Sequence, residues 1–430
     1  MTAARHRART TALSLLLVGT LASTAAGCGS PSAAPVRRSV ATTSVPTTTA
    51  PTTTTTLPSA VPTTDPTPVV PSQGWSHPST ALPPAGGFTS VSCISDVFCL
   101  AAGGGSNESD AASSTGPGAV AAWDGATWGT ASTYFAAGPG AAPPPWMPAI
   151  SCTDGPLCAV VDGSGHISLG DGTNWWPPVA LAPVPVPPAD PADPGPGQAG
   201  ARTAAVSCAT SHFCAYVDNT GHAATLHGST WSAPQVLTAR VGLASVELFQ
   251  RGRVTVSCAS PTSCTALVAA TSLTWDGTSW TGSPGPAWPT PGTGDTAVSC
   301  PAPGQCTAVH GSWVSTLGPG PGWSPPRSID PVGGLDAVSC PSVAVCVAAD
   351  AAGDVLRLTG GSWGGPTKVV PTATAYTGLG TSLSCPTEQF CLVLTGDGDF
   401  ATYQGASPAP GWPAPGTTRL SRWPPSRPVR

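Results

Sequence analysis

One spacing recurs seven times in this sequence, and it constrains the fold more than any single residue does. Two cysteines separated by five residues occur as Cys93 and Cys99, Cys152 and Cys158, Cys208 and Cys214, Cys258 and Cys264, Cys300 and Cys306, Cys340 and Cys346, and Cys385 and Cys391. Each pair lies between two short β-like runs, as in Ala337-Val338-Ser339-Cys340 and Cys346-Val347-Ala348-Ala349. Self-similarity at intervals of 40 to 59 residues marks an array of equivalent supersecondary units, not two or three unrelated domains.

Every unit follows one template. Strand a ends at the first Cys, and the residue two before it is always Val, Ile or Leu. Alternation along a strand puts that residue and the Cys on one face and the recurring Ser on the other. Strand b begins at the second Cys and ends in a turn such as Asp162-Gly163-Ser164-Gly165 or Asp218-Asn219-Thr220-Gly221. Strand c leads to a second signature, Trp123-Asp124-Gly125-Ala126-Thr127-Trp128 or Trp275-Asp276-Gly277-Thr278-Ser279-Trp280, whose Asp-Gly step is a hairpin turn into strand d. Weaker copies end at Trp175, Trp231, Trp323 and Trp363. The predicted fold is all-β, a seven-bladed β-propeller with four antiparallel strands and one disulfide per blade. A linear β-solenoid is the alternative, although its rungs are usually shorter and less rich in hairpins. Gly74-Trp75 and Gly411-Trp412 both read as the start of a strand d, which makes eight such starts for seven places. The N-terminal one is expected to close the blade of Cys385 and Cys391.

Paired cysteines behind a secretion-type leader imply an oxidising compartment, so the fourteen are assigned to disulfides. A zinc site needs four converging ligands, usually with closer Cys spacing, and the pattern does not supply them. The fifteenth, Cys28, follows Arg5, Arg7, Arg9 and an apolar run from Thr11 to Ala22 that is too short to span a bilayer. The end of that run, Thr24-Ala25-Ala26-Gly27-Cys28, resembles the bacterial lipoprotein box. The resemblance implies cleavage after residue 27, lipidation of Cys28 with acyl chains such as palmitate, and a chain lipid-anchored on the extracytoplasmic face of the bacterial cell membrane. Ala25 departs from that pattern, where Leu is usual. Residues 28–73 are a Thr/Pro-rich tether with almost nothing to bury, 74–420 the propeller, and 421–430 a Pro/Arg tail.

Loss of the leader's three arginines leaves 13 basic against 21 acidic residues, so there is no electrostatic footprint for nucleic acid. Catalytic signatures are sparse, and an enzyme is the less favoured reading. The Asp-Gly-x-x-Trp turns resemble degenerate Asp-box repeats of the bacterial neuraminidase type. In that family the Asp-box is a structural hairpin away from the active site, so the resemblance implies fold and not activity. A neuraminidase-like site would need an arginine cluster, a Tyr nucleophile and acids. The units offer Arg202, Arg240, Arg251, Arg253, Arg327 and Arg357 with four Tyr and three Glu in the whole chain. Repeating tryptophans are expected to pack between blades, whereas Trp146, Trp176 and Trp288 fall outside the template and are the candidates for ligand stacking. Asp397 and Asp399 are candidate ligands for a Ca²⁺ ion, and no cofactor is indicated.

Strand order assigns the disulfides and Trp turns to one face of the ring. Insertions at 103–117 between strands b and c, and at 136–145, 178–200 and 238–252 between strand d and the next strand a, belong to the opposite face. Loops on a rigid scaffold carry function. The functional expectation is therefore a binding or scaffolding module for a cell-surface protein or glycan, attached to the membrane by lipid only. The alternative is a secreted-type propeller enzyme, a glycan hydrolase or lyase, with its site on the loop face.

Overall fold

The computed structural model describes residues 74–81, 87–104, 118–134, 148–155, 157–162, 165–181, 203–218, 221–237, 254–268, 271–289, 296–320, 322–331, 334–372 and 380–405. The chain divides into two units, 1–68 and 69–430, and every described residue belongs to the second. That unit is a seven-bladed β-propeller of antiparallel sheets. Strands a, from blade 1 to blade 7, are Phe88–Ser95, Ala149–Thr153, Ala204–Thr210, Thr255–Ser260, Thr296–Ala302, Leu335–Ser339 and Thr381–Thr387. Each packs against the strands a of both neighbouring blades, and the seventh returns to the first, so strand a is the innermost strand of every blade.

Alternation along strand a assigns its two faces different tasks. The Val, Ile or Leu two before the Cys, and the Cys itself, face the preceding blade. Buried apolar side chains form seven clusters, one at each seam between blades. The seam between blades 3 and 4, for instance, joins Phe213, Val217 and Leu237 to Val256, Cys264, Leu273 and Trp280. The core is thus distributed around the ring, which suits strands built from Ala, Val and Cys, because small side chains let neighbouring sheets approach closely. All seven disulfides are present, with Cα atoms 3.9 to 4.1 Å apart across the inner hairpin. In blades 1 to 4 the two cysteines are direct cross-strand partners.

The opposite face of strand a carries the Ser, and it does something the repeat alone did not announce. Ser92 Oγ accepts from the Cys152 N–H, Ser151 from Cys208, Ser207 from Cys258, Ser257 from Cys300, Ser299 from Cys340, Ser339 from Cys385, and Ser384 from Cys93, all at 2.9 to 3.0 Å. These seven bonds form a closed girdle about the axis. The innermost strand has no further strand to pair with, so its inward N–H groups need side-chain partners. Where a hydroxyl also stands three before the Cys, a second bond forms, as from Ile150 N–H to Ser90 Oγ and from Val91 N–H to Ser382 Oγ.

Strand d opens on the repeating Trp, which sits opposite the end of strand c and packs on the seam with the preceding blade. Trp128, Trp175, Trp231, Trp323, Trp363 and Trp75 occupy this place, with Trp280 in the one unbroken outer strand, Trp280–Pro284. Elsewhere strand d is interrupted after the Trp and resumes four residues on, at Ser132–Thr133, Val179–Ala180, Gln235–Val236, Arg327–Ser328, Thr367–Lys368 and Ser79–Thr80. Pro178, Pro234, Pro326, Pro366 and Pro78 stand in the gap. Proline cannot donate to a ladder, so it confines this strand to the outer edge and blunts it against pairing with other chains.

Blade 7 takes its outer strand from the N-terminal segment. Gly74 and Trp75 pair with Gln404 and Tyr403, and Ser79 and Thr80 with Phe400 and Asp399. The residue after the Trp explains the choice over Gly411-Trp412, which lies outside the described residues. In this blade the Ser76 N–H donates to Thr402 O, an analogous bond recurs in five other blades, and Pro413 has no N–H to offer. Two insertion boundaries move. Gly103 ends strand b of blade 1, and Val179–Ala180 is the outer strand of blade 2 and not part of a loop. The remainder of these insertions, 105–117, 135–147, 182–202 and 238–253, lies outside the described residues.

Two stability changes follow. Ser257→Ala leaves the Cys300 N–H without its partner and lowers unfolding free energy by about 1–3 kcal/mol in denaturant titration, whereas Ser362→Ala, at an exposed position on an outer strand, changes it by less than about 0.5 kcal/mol. Trp75→Ala removes the closing strand's anchor and costs about 2 kcal/mol or more, and Trp412→Ala leaves the midpoint unchanged.

Candidate functional site

A cavity of about 250 Å³ lies on the propeller axis, walled by the first residues of all seven strands a. Register fixes which end it occupies. The start of strand a pairs with the end of strand b, as Ala204 with Asp218 and Thr381 with Thr395, so the cavity belongs to the face of the b-to-c turns and d-to-a connections. Its inner limit is a collar two residues before each first Cys, made of Val91, Ile150, Val206, Val256, Val298, Val338 and Leu383. The Ser and Cys of the girdle come next along each strand and do not line it.

Toward the mouth, the residues four before the Cys are Thr89, Pro148, Ala204, Val254, Thr296, Asp336 and Thr381. Some hydroxyls here brace neighbouring segments. Thr89 donates to Pro148 O at 2.6 Å, Thr381 donates to Asp350 O at 2.8 Å, and Thr203 accepts from the Val254 N–H at 3.1 Å. Among the described residues lining the cavity, Asp336 is the one that is charged. Its Oδ2 accepts from the Thr381 N–H of the next blade at 3.0 Å. The preceding residue, Gly380, has φ of +69°, and a Cβ there would collide with this carboxylate.

The same face carries an organised set of b-to-c turns. Asp162, Asp218 and Asp350 are buried at the end of strand b, and each accepts from the N–H four residues on, in His166, His222 and Asp354, at 2.8 to 2.9 Å. Thr395 does the same for Asp399 in blade 7. These side chains cap tight turns, which is why short polar residues stand there. In blades 2 and 3 the capping carboxylate also faces the histidine, with Nδ1 to Oδ separations of 3.5 and 3.6 Å. Hydrogen bonding to Asp162 and Asp218 raises both imidazoles above their ordinary range. Tyr216, fully buried between these blades, donates to Asp218 Oδ2 at 2.9 Å, and burial with that carboxylate raises its phenol. Asp350 is pushed up by burial and by the charges of Asp354 and Asp330.

The residues singled out in the sequence are not gathered into one site. Cys28 and Trp146 lie outside the described residues. Trp176 is 55% exposed in the interruption of the outer strand of blade 2, far out along its blade from the axis. Trp288 is half-buried, packs on the seam of blades 4 and 5, and stacks at 5.4 Å on His310. Asp397 stands in the b-to-c turn of blade 7, and Asp399 begins strand c, where it accepts from Thr80 Oγ1 at 2.6 Å and so helps hold the closing strand. Among the described residues no three His, Cys, Asp or Glu are placed to hold a metal ion. Asp124, Asp171 and Asp276 each accept two backbone N–H groups within their own c-to-d turn on the opposite face. The Thr278 hydroxyl and the N–H groups of Ser279 and Thr278 hold the Asp276 carboxyl down to about 2. The axial cavity was not foreseen from sequence. Its trace was present in the repeat, where aligning the seven units shows a single carboxylate, Asp336, in the column four before the Cys.

No protein-family model matches the sequence, and no curated protein matches it. Solved structures of similar fold include that of U3-55K, with a TM-score of 0.52 and 9% identity over 76% of this chain and 98% of that one. Others are YCF48 bound to a D1 peptide, at 0.49 and 15% over 77% of this chain and 94% of that one, and YCF48 from Cyanidioschyzon merolae, at 0.48 and 16% over 77% and 98%. At these identities the likeness concerns fold alone.

The Asp218–His222 pair makes a titration testable. A histidine raised in the folded state adds stability below its unfolded value and loses that contribution as pH rises through the folded value. The His222 ring resonances therefore titrate above the free-histidine range in NMR. In Asp218→Asn, which keeps an oxygen to cap the turn, they return toward it, and the variant's loss of stability is larger at pH 5.5 than at pH 9.

Proposed function

We propose that this chain is a lipid-anchored, extracytoplasmic binding or scaffolding module that holds a cell-surface protein or glycan at the mouth of its axial channel. The observation carrying the reading is the position of the axial cavity, on the face opposite the one at which the chain enters the propeller. Gly74 pairs with Gln404, the last residue of strand c in blade 7, on the disulfide face. The described chain therefore enters the propeller on the disulfide side, at the end of the ring opposite the cavity. A rigid ring with sparse chemistry and one polar axial cavity suits capture better than turnover. Lipidation at Cys28, with residues 28–73 as spacer, would set this module off the outer face of the membrane; at about 3.1 Å per residue in an extended polyproline-like chain the reach is on the order of 130 Å.

An enzyme, a glycan hydrolase or lyase, is the second reading. The observation on its side is the pair of Asp–His units in blades 2 and 3 on the cavity face. Both carboxylates are already engaged in capping their turns, which favours a structural use.

Fractionation of cells carrying the full chain tests the anchor. The native protein is expected in the membrane fraction and Cys28→Ala in the soluble extracytoplasmic fraction; an unchanged distribution defeats the lipid-anchor reading. Glycan and peptide arrays probed with the mature chain separate the two functional classes, since retained, unmodified ligand supports capture and released product supports the enzyme.

A further inference from the structure

We propose that residues 411–418 are a second closing strand for blade 7, held in reserve, which takes the outer place when 74–81 leaves it. The inference concerns the ring and is independent of what the ring binds. Its starting point is the small hold of the closing strand. Residues 74–81 pair with strand c at four positions, Gly74, Trp75, Ser79 and Thr80, and the Trp75 ring packs on Tyr403 at 5.6 Å at the seam of blades 6 and 7. Withdrawal of so short a strand would bare the outer edge of Asp399–Gln404, and an open edge is a template for pairing with other chains.

The sequence that follows strand c matches the one it would replace. Position by position, Gly411-Trp412-Pro413-Ala414-Pro415-Gly416-Thr417-Thr418 repeats Gly74-Trp75-Ser76-His77-Pro78-Ser79-Thr80-Ala81 at its Gly, Trp, Pro and second hydroxyl position, a Thr in both. These are positions the blade uses. The Trp covers the seam, the Pro three residues on stands in the gap of the strand as it does in blades 2, 3, 5 and 6, and Thr80 Oγ1 donates to Asp399 at 2.6 Å. In the same register Trp412 falls opposite Tyr403 and Thr417 opposite Asp399.

The last described residue is already on the course this requires. Gly405 N–H donates to Gln389 O at 2.7 Å, just as Gly228 N–H donates to His212 O at 2.8 Å where strand c of blade 3 turns into strand d. Tyr403 and Leu226 are equivalent, each being the cross-strand partner of the second Cys of its blade. Trp231 follows Leu226 by five residues, and Trp412 follows Tyr403 by nine. Closure entropy rises slowly with loop length, so the longer turn is a small obstacle.

One residue ranks the two strands. Ser76 makes two bonds with Thr402, its N–H donating to the carbonyl at 2.7 Å and its Oγ accepting from the N–H at 3.0 Å. Pro413 has neither an N–H nor a hydroxyl. The N-terminal strand therefore holds the place, and the C-terminal one enters when the first is cut, drawn away or weakened.

Hydrogen exchange of the full-length chain, followed by mass spectrometry over 74–81, 399–404 and 411–418, tests the proposal. In Trp75→Ala, exchange over 411–418 is expected to slow at least tenfold while 74–81 exchanges faster and 399–404 stays protected. Trp412→Ala, silent in the native background, is expected to lower the thermal midpoint of Trp75→Ala further and to speed its exchange over 399–404 at least tenfold. Pro413→Ser supplies the missing N–H and hydroxyl. It is expected to move protection from 74–81 toward 411–418 in the otherwise native chain, and to restore part of the midpoint lost in Trp75→Ala. The proposal is overturned if 411–418 gains protection in neither Trp75→Ala nor Pro413→Ser, or if Trp412→Ala is as silent in Trp75→Ala as in the native chain. Global unfolding of Trp75→Ala overturns it too, because a reserve strand would have closed the ring. Protection that appears only with a concentration-dependent dimer in sedimentation assigns the strand to a second copy and overturns closure within one chain.

Discussion

The ring depends on how the inner edges of its strands are satisfied. A propeller brings seven edge strands to one axis, and no edge there can be paired by another strand. The Ser Oγ to Cys N–H girdle answers this with one side chain per blade, and each bond crosses a seam. Because the acceptor lies on one blade and the donor on the next, the set is complete only when the circle is. Each hydrogen bond contributes modestly, about 0.5–1.5 kcal/mol net, but leaving its N–H unmet costs more. The girdle therefore favours closure over an open stack of the same units.

Disulfide and serine occupy adjacent positions because strand alternation gives them opposite work. The Cys faces back toward the preceding blade, where its sulfur is part of an apolar cluster, and the Ser faces forward to bond the next blade. Cross-linking the inner hairpin limits the unfolded chain, by about 2 kcal/mol for a loop this short in the chain-entropy model. It also fixes the register in which the neighbouring Ser and Cys N–H meet. Strands with so many Ala residues have little side-chain volume with which to define register by packing, so a covalent pin at the same level in every blade compensates.

The sequence made the architecture legible because its signals repeat. Seven Cys pairs, a Val-Ser-Cys strand and a Trp-turn recur with the periodicity of a blade, and the closing strand at Gly74-Trp75 could be named from its likeness to the other six. The Trp reading follows for the same reason, since a residue found once per blade is found once per seam. What repetition hides is the use of the Ser, because a hydrogen bond between units has no trace within one unit. The site is poorly legible for a related reason. Individually interesting residues such as Trp288 and Asp399 are absorbed by local packing and turn formation. The cavity, in contrast, is assembled from residues some 40 to 60 apart that look unremarkable singly.

Near-symmetry makes a departure from it informative. At the collar all seven residues are aliphatic, so that level is apolar in every direction and cannot orient a ligand about the axis. Two residues nearer the mouth the column contains three Thr, Pro, Ala, Val and one Asp, and the sevenfold equivalence ends. Among the described lining residues the one carboxylate, Asp336, stands to one side of the axis. Its location between blades 6 and 7, held by a backbone N–H from the far side of the seam, ties that asymmetry to the integrity of the ring. Blade 7 is the one completed by a strand from the other end of the described chain, so closure of the ring and the break in its symmetry meet in the same sector.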